Sequence, residues 1–250
     1  MILVSNDDGI EAAGVRRLVE TLSGIGDVVC VCPDGPRSGQ SMAISVNTPL
    51  RATRLADYSG ATMYKVNGTP VDCVKLSMHT LLDRRPDIIV SGINHGSNAA
   101  VNVVYSGTMG AAMEGCAFGI PSVGFSLTDH SPDADFSPCL PWIERICRGV
   151  LANGLPDGVC LNVNFPVVDA EPAEMRVVRA ARGKWSDEYK EYTDPHGHKF
   201  YWLTGRFENE EPDADDTDEW CLSHGIVSVV PTMLDRTAAP CAGIEWLRGI

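Results

Sequence analysis

Short apolar runs alternate with polar loops along the first two thirds of the chain. Residues 2–4 form an apolar run that ends in Ser-Asn-Asp-Asp-Gly, and residues 27–32 form a valine-rich run followed by Pro, Gly and Ser. Between them, apolar residues recur at helical spacing over residues 15–22. A strand, a helix and a second strand of these lengths form a βαβ unit, which predicts a parallel sheet with right-handed crossovers.

The same rhythm continues to about residue 165, so the pattern predicts an α/β fold with a mostly parallel sheet. Buried strands are predicted at residues 88–90, 121–126 and 159–165, the last with alternating polar positions that favour a place nearer the sheet edge. Helices are predicted to begin at Thr69, where Thr, Pro and Asp suit the first helical positions, and near Ser106 and residue 138.

After about residue 170 the strand and helix alternation fails. We therefore predict one domain over residues 1–250, with a core over roughly 1–170 and a smaller extension over 171–224. Residues 225–250 are predicted to supply a further core strand and a carboxyl-terminal tail. The apolar residues of that tail, Ile244, Trp246 and Leu247, favour docking on the chain's own body or on a neighbouring subunit.

Polar side chains follow three of the predicted strands at the point where each strand ends. Asp7 and Asp8 follow the first strand, Ser38 lies in the loop after the second, and Asn94 follows the third. Parallel strands place their carboxyl ends at one edge of the sheet, where α/β proteins bind ligands. Carboxylate, amide and hydroxyl oxygens together suit a hard cation such as Mg²⁺ or Mn²⁺. A solvated turn after the first strand and simple loop punctuation after the second remain alternatives.

The segment Tyr105-Ser106-Gly107-Thr108 precedes a run of small residues that suits a helix packed closely on the sheet. The free N–H groups and the positive dipole end of such a helix can hold a phosphate group. A helix cap without a ligand would explain the same residues.

Net charge and the length of the apolar runs argue against nucleic acids and membranes as partners of this chain. A net charge of −13 argues against a surface that coats nucleic acid, and no apolar run is long enough to span a membrane. The absence of a signal-like start favours the cytoplasm.

Nine cysteines without a C-x-x-C pair argue against structural zinc and a redox dithiol. Eight of the twelve residues from Glu208 to Glu219 are acidic, which predicts a solvated loop.

Several motifs in order along the chain resemble the SurE family, the survival-protein-E phosphatases that act on nucleoside monophosphates. The matching segments are residues 2–9, 37–39, 67–74, 91–98, 105–108, 111–115, 161–164, 201–202 and 227–229 with Pro231. The resemblance implies a Rossmann-like, three-layered core, an extension used in assembly, and homodimers or homotetramers. It also implies one divalent metal ion per subunit at the positions of Asp7, Asp8, Ser38 and Asn94.

We therefore expect a metal-dependent phosphomonoesterase that hydrolyses nucleoside 5′- and 3′-monophosphates through a metal-activated water, with side activity on polyphosphate. Asp7 and Asp8 are the candidate catalytic residues, and Asp8 is the preferred proton acceptor. The candidate phosphate- and substrate-binding residues are Asn6, Gly39, Asn98, Ser106, Gly107 and Thr108. His95 could contact the phosphate or leaving group, or could serve only a supporting role. A nucleotide-binding sensor without turnover is the alternative function.

Two features depart from the family pattern. The loop Ala99-Ala100-Val101-Asn102-Val103-Val104 replaces a segment that often carries glycine and acidic residues, so substrate preference is open. The acidic run from Glu208 to Glu219 also has no match, and we expect a solvent-exposed insertion there.

Overall fold

The computed structural model describes residues 1–237. Its thirteen strands are β1 (Ile2–Ser5), β2 (Val28–Pro33), β3 (Ala52–Arg54), β4 (Thr62–Val66), β5 (Ile88–His95), β6 (Ser122–Leu127), β7 (Val159–Phe165), β8 (Met175–Val177), β9 (Gly183–Ser186), β10 (Tyr189–Thr193), β11 (Lys199–Leu203), β12 (Arg206–Asn209) and β13 (Val227–Met233). Its five α-helices are α1 (Ala13–Ser23), α2 (Pro70–Leu76), α3 (Gly107–Ala117), α4 (Leu140–Asn153) and α5 (Asp218–Ser223).

Nine strands form the central sheet in the order β3-β4-β2-β1-β5-β6-β7-β13-β8. The strands from β4 to β7 are parallel, while β3 and β13 pair antiparallel with their inner neighbours. Apolar residues of α1 and α4 pack on one face of the sheet, and those of α2 and α3 pack on the other. This arrangement confirms the predicted three-layered α/β fold and places the carboxyl ends of β1, β2, β5 and β6 at one edge.

Helix starts follow the sequence signals. Thr69 accepts a hydrogen bond from the backbone N–H of Asp72 at 3.0 Å, and the Asp72 carboxylate accepts one from the Thr69 N–H at 2.9 Å. This reciprocal cap begins α2 where Thr, Pro and Asp predicted a helix. Ser106 caps α3 in a similar way, since its hydroxyl accepts the N–H of Met109 at 3.0 Å.

The alternating polar residues of β7 have a different cause from the predicted one. β7 lies two strands in from the edge, between β6 and β13. Asn162 and Asn164 are both buried, at 2% and 0% exposure. They are polar because they hydrogen-bond to Asn98 beyond the end of β5, and not because that face meets solvent.

Within the predicted extension, Met175–Val177 pairs with β13 and so belongs to the central sheet. The remainder contains two antiparallel pairs, β9 with β12 and β10 with β11, followed by the short helix α5. The apolar tail residues 244, 246 and 247 lie outside the described part of the chain. Among the helices of residues 1–237, none combines the length and the apolar character that a bilayer crossing requires.

The prediction that residues 208–219 form a solvated loop is wrong for part of this run. Asp218 is fully buried, and Glu211 forms ion pairs with Arg179 and Arg182. The run also contains the end of β12 and the start of α5. The acidic composition predicted that these side chains are exposed. The Asp218 carboxylate instead accepts backbone N–H groups from other segments, and the Glu211 carboxylate pairs with arginines from another segment.

Candidate active site

The turn after β1 is held in place by Asn6. The side-chain amide of Asn6 donates to the Gly9 carbonyl at 2.9 Å, and the Gly9 N–H donates back to Asn6 Oδ1 at 3.2 Å. Asn6 is fully buried, and Gly9 has a φ of +100°, a backbone conformation that favours glycine. The side chain of Asn6 therefore shapes the turn that presents Asp7 and Asp8.

Asp7 lies against the first turn of α3. The hydroxyl of Thr108 donates a hydrogen bond to Asp7 Oδ1, and a Cβ placed on Gly107 would lie 2.8 Å from the Cβ of Asp7. Asp7 is 4% exposed. Burial raises its pKa from 3.8 to about 6, opposed by the Thr108 hydrogen bond and supported by the charge of Asp8. A carboxylate in this position gains from a nearby cation.

The loop after β2 reaches the same turn. The backbone N–H of Arg37 donates to the Asp7 carbonyl at 2.7 Å, which ties the loop that carries the exposed residues Ser38 and Gly39 to the turn after β1. Further along, the Ser41 hydroxyl donates to the Val104 carbonyl at 2.7 Å. The Ser38 loop is thus anchored at β1 and at the approach to α3.

β5 runs further than predicted, through Ser91 to His95, and carries Asn94 to the sheet edge. The amide nitrogen of Asn94 donates to the Gly96 carbonyl at 2.8 Å, which leaves its side-chain oxygen as the atom suited to a cation. His95 faces Asp8: its backbone N–H lies 3.3 Å and its Nδ1 3.2 Å from Asp8 Oδ2. Phe136 packs edge-on against the His95 ring.

Asn98 lies beside this edge in a buried amide network. Its N–H donates to Asn164 Oδ1, its carbonyl accepts from Asn162 Nδ2, and its own amide donates to the Ser126 hydroxyl, each at 2.8 Å. The side chain of Asn98 thus bonds another side chain, and it is the Asn98 backbone that is held. The Ser106 hydroxyl accepts the Met109 N–H, so the N–H groups that precede Met109 in α3 are the ones that could be offered to an anion.

A family model described as "Survival protein SurE" matches residues 2–187. This chain belongs to the SurE family. A protein named 5′-nucleotidase SurE from Phocaeicola vulgatus is 51% identical over 238 residues, covering 95% of this chain and 92% of that protein. A protein of the same name from Bacteroides fragilis is 48% identical, with coverage of 95% and 93%. A crystal structure titled Sure Protein from Aquifex aeolicus has a TM-score of 0.84 and 34% identity, and covers 99% of both chains.

In this SurE chain the predicted residues divide into two groups by position. At one sheet edge, Asp7 contacts the start of α3, the Ser38 loop is tied to Asp7 through the Arg37 N–H, and Asp8 contacts His95, the residue after Asn94. Asn6 shapes the turn that carries the two aspartates, and the backbone of Asn98 is held by Asn162 and Asn164. Among residues 1–237 no three His, Cys, Asp or Glu residues form a cluster that could hold a metal. A metal here would depend on two carboxylates supplemented by amide and hydroxyl oxygens.

Three residues in the SurE site were given no firm role by sequence reasoning. His95 contacts Asp8, while Asn162 and Asn164 hold Asn98. The two asparagines had a signal, because polar residues alternated within an otherwise apolar strand. We interpreted that signal as a position nearer the sheet edge and not as part of the site.

Proposed function

We propose that this chain is a divalent-metal-dependent 5′-nucleotidase, which hydrolyses nucleoside 5′-monophosphates to nucleoside and phosphate. The observation that supports it most is the buried Asp7, which lies between the hydroxyl of Thr108 and the backbone of Gly107. This contact puts a candidate metal ligand beside a helix start suited to phosphate. The curated relatives at about half identity are named 5′-nucleotidase SurE, which supports the same reaction.

The residues present fit one Mg²⁺ or Mn²⁺ ion. Asp7, Asp8, Asn94 and Ser38 offer only oxygen atoms, the donor type that these cations prefer. Burial, with the nearby charge of Asp8, raises the pKa of Asp7, and a bound cation would favour its ionised form. When bound, such an ion would polarise a phosphoryl oxygen and lower the pKa of a coordinated water.

The side chains of the site would supply positioning and proton transfer. The first-turn N–H groups of α3 would hold the phosphate oxygens, with Gly107 allowing close approach. Asp8 would accept the proton of the attacking water at a carboxylate oxygen. His95 Nδ1, at 3.2 Å from Asp8 Oδ2, orients this carboxylate and can share the proton.

The proposal extends to nucleoside 3′-monophosphates and polyphosphate as further substrates, because every contact that we propose is to a phosphoryl group and none is to a particular ester. It also includes a homodimer or homotetramer and a cytoplasmic location. The cysteines of residues 1–237 are free and buried thiols, which is compatible with a reducing compartment.

The test is phosphate release from a panel of nucleoside 5′- and 3′-monophosphates and polyphosphate, with Mg²⁺, Mn²⁺ or a chelator. We expect release from AMP with Mn²⁺ and a loss of release with the chelator. Full activity with the chelator would reject metal dependence. Tight nucleotide binding without release would reject the enzyme and favour a sensor.

A further inference from the structure

The segment from Asn98 to Tyr105 joins the end of β5 to the start of α3. It therefore sets the spacing between Asn94, a candidate metal ligand, and Ser106, which caps the candidate phosphate site. Its first residue is held by Asn162 and Asn164 of the core. Its middle is held by residues of the extension.

Asp218, at the start of α5, provides the main contact from the extension. This carboxylate is 0% exposed and accepts three backbone hydrogen bonds, each at 2.8 Å. Oδ2 accepts the N–H of Ala100, while Oδ1 accepts the N–H groups of Ala181 and Glu219. A buried carboxylate with this many donors is a fixed anchor, because each bond to the charged group is strong.

Ala100 needs such an anchor. Its φ is +50°, the left-handed region that residues with a Cβ adopt at a cost. The hydrogen bond to Asp218 holds it there. A second contact lies two residues on, where Trp185 Nε1 donates to Asn102 Oδ1 at 2.8 Å.

We propose that Asp218 is a positioning residue for the active site, which acts through Ala100 to fix the segment between Asn94 and Ser106. Asp218 touches neither substrate nor metal in this role. The inference rests on the proposed function for its activity readout, but Mn²⁺ affinity supplies a readout that does not need turnover.

The variant Asp218→Asn tests the proposal selectively. In this variant the oxygen of the new side-chain amide can still accept the N–H groups of Ala181 and Glu219. The NH₂ group of that amide then faces the Ala100 N–H, so only the hydrogen bond to Ala100 is lost. The matched control is Asp216→Asn, which removes the same charge from the same segment. Asp216 is 63% exposed and pairs with Arg179, away from Ala100.

We expect Asp218→Asn to lower kcat for AMP about tenfold and to raise the Mn²⁺ dissociation constant about tenfold, the size of effect seen for supporting residues of metal sites. Asp216→Asn should match the wild type in both. Mn²⁺ affinity is measured by titration calorimetry, and thermal unfolding of each variant reports its fold. A purely structural role would lower the melting temperature without changing Mn²⁺ affinity.

Wild-type Mn²⁺ affinity and kcat in a folded Asp218→Asn variant would overturn the proposal. If that variant does not fold, Trp185→Phe decides, because it keeps an aromatic ring at this position and removes the pyrrole part of the indole, with the N–H that reaches Asn102. It should then weaken Mn²⁺ binding in the same direction, and unchanged affinity would count against the proposal. A wild type that binds Mn²⁺ but releases no phosphate would reject the proposed function alone.

Discussion

At the residue scale, the chemistry of the site centres on the protonation of Asp7. The folded protein without metal raises the pKa of this carboxyl to about 6, so the folded state binds its proton more tightly than the unfolded chain does. Both states are protonated below about pH 4, and both are ionised above about pH 6. The free energy of unfolding of the metal-free protein therefore falls as pH rises from about 4 to about 6, by about 3 kcal/mol in total.

This loss of unfolding free energy predicts how Asp7→Asn changes the melting temperature. In a chelator, the variant should unfold at a higher temperature than the wild type at pH 7.5, and the difference should shrink towards pH 4. Mn²⁺ should raise the melting temperature of the wild type more at pH 7.5 than at pH 5, because protonated Asp7 cannot serve as a ligand. Mn²⁺ should leave the melting temperature of Asp7→Asn unchanged. Phosphate release from AMP by this variant should fall more than about 100-fold. Equal Mn²⁺ stabilisation of both proteins would exclude Asp7 as a ligand.

At the element scale, the contact between α3 and the end of β1 decides whether the site is assembled. Gly107 has no space for a side chain, because an added Cβ would lie 2.8 Å from Asp7 Cβ and 3.0 Å from Asp7 Oδ2. Gly107→Ala should therefore displace Asp7 or the helix start and reduce kcat/KM for AMP about 100-fold, as misplacement by about 1 Å can do.

Gly149→Ala in α4 is the matched control for this substitution. Nothing lies within 4 Å of an added Cβ there, and Gly149 is an exposed position inside a helix. We expect full activity and a gain of about 0.5–1 kcal/mol in unfolding free energy. Steady-state kinetics and denaturant unfolding of both variants measure the contrast. Normal activity in Gly107→Ala would show that the close contact has no role in the site.

Sequence patterns predicted the main core strands and helices because those depend on local spacing, although β5 continues past its predicted end at residue 90 to His95. Asp7, Ser38 and Asn94 could be placed at one edge from the rule that parallel strands share an orientation. The pairing of β13 with β7 and β8 could not be predicted, because periodicity carries no information on which strands are neighbours. Asp218 was missed for a related reason: it stands in an acidic run in which Asp215 and Asp216 are exposed, whereas its carboxylate is buried against the N–H groups of Ala100 and Ala181.

At the scale of the whole molecule, β10 and β11 form an aromatic hairpin (residues 189–203) that projects from the core. Tyr189, Tyr201, Trp202 and Leu203 are each between 59% and 69% exposed. A cluster of this kind on an acidic chain is typical of a surface that another protein covers. It supports the proposed homo-oligomer, with the hairpin as part of the interface.

Trp202→Glu should therefore reduce the assembly of subunits. We expect light scattering after size exclusion to show a smaller species than the wild type. The melting temperature of the core should change little, because the hairpin packs outside the main sheet. Val167→Glu is the control, since Val167 is 63% exposed but lies outside the hairpin. An unchanged mass for Trp202→Glu would exclude the hairpin from the interface.

The hydrogen bond from Ala100 to Asp218 also has a consequence for biosynthesis. A ribosome completes every proposed ligand by residue 94 and the proposed phosphate-binding helix start by residue 108, but it adds the anchoring carboxylate only some 110 residues later. Until then the segment around Ala100 has no partner for its N–H, and the nascent polypeptide carries the parts of a hydrolase without their final spacing. Competence for hydrolysis would thus arise only after residue 218 has been added, well after the proposed site residues have emerged.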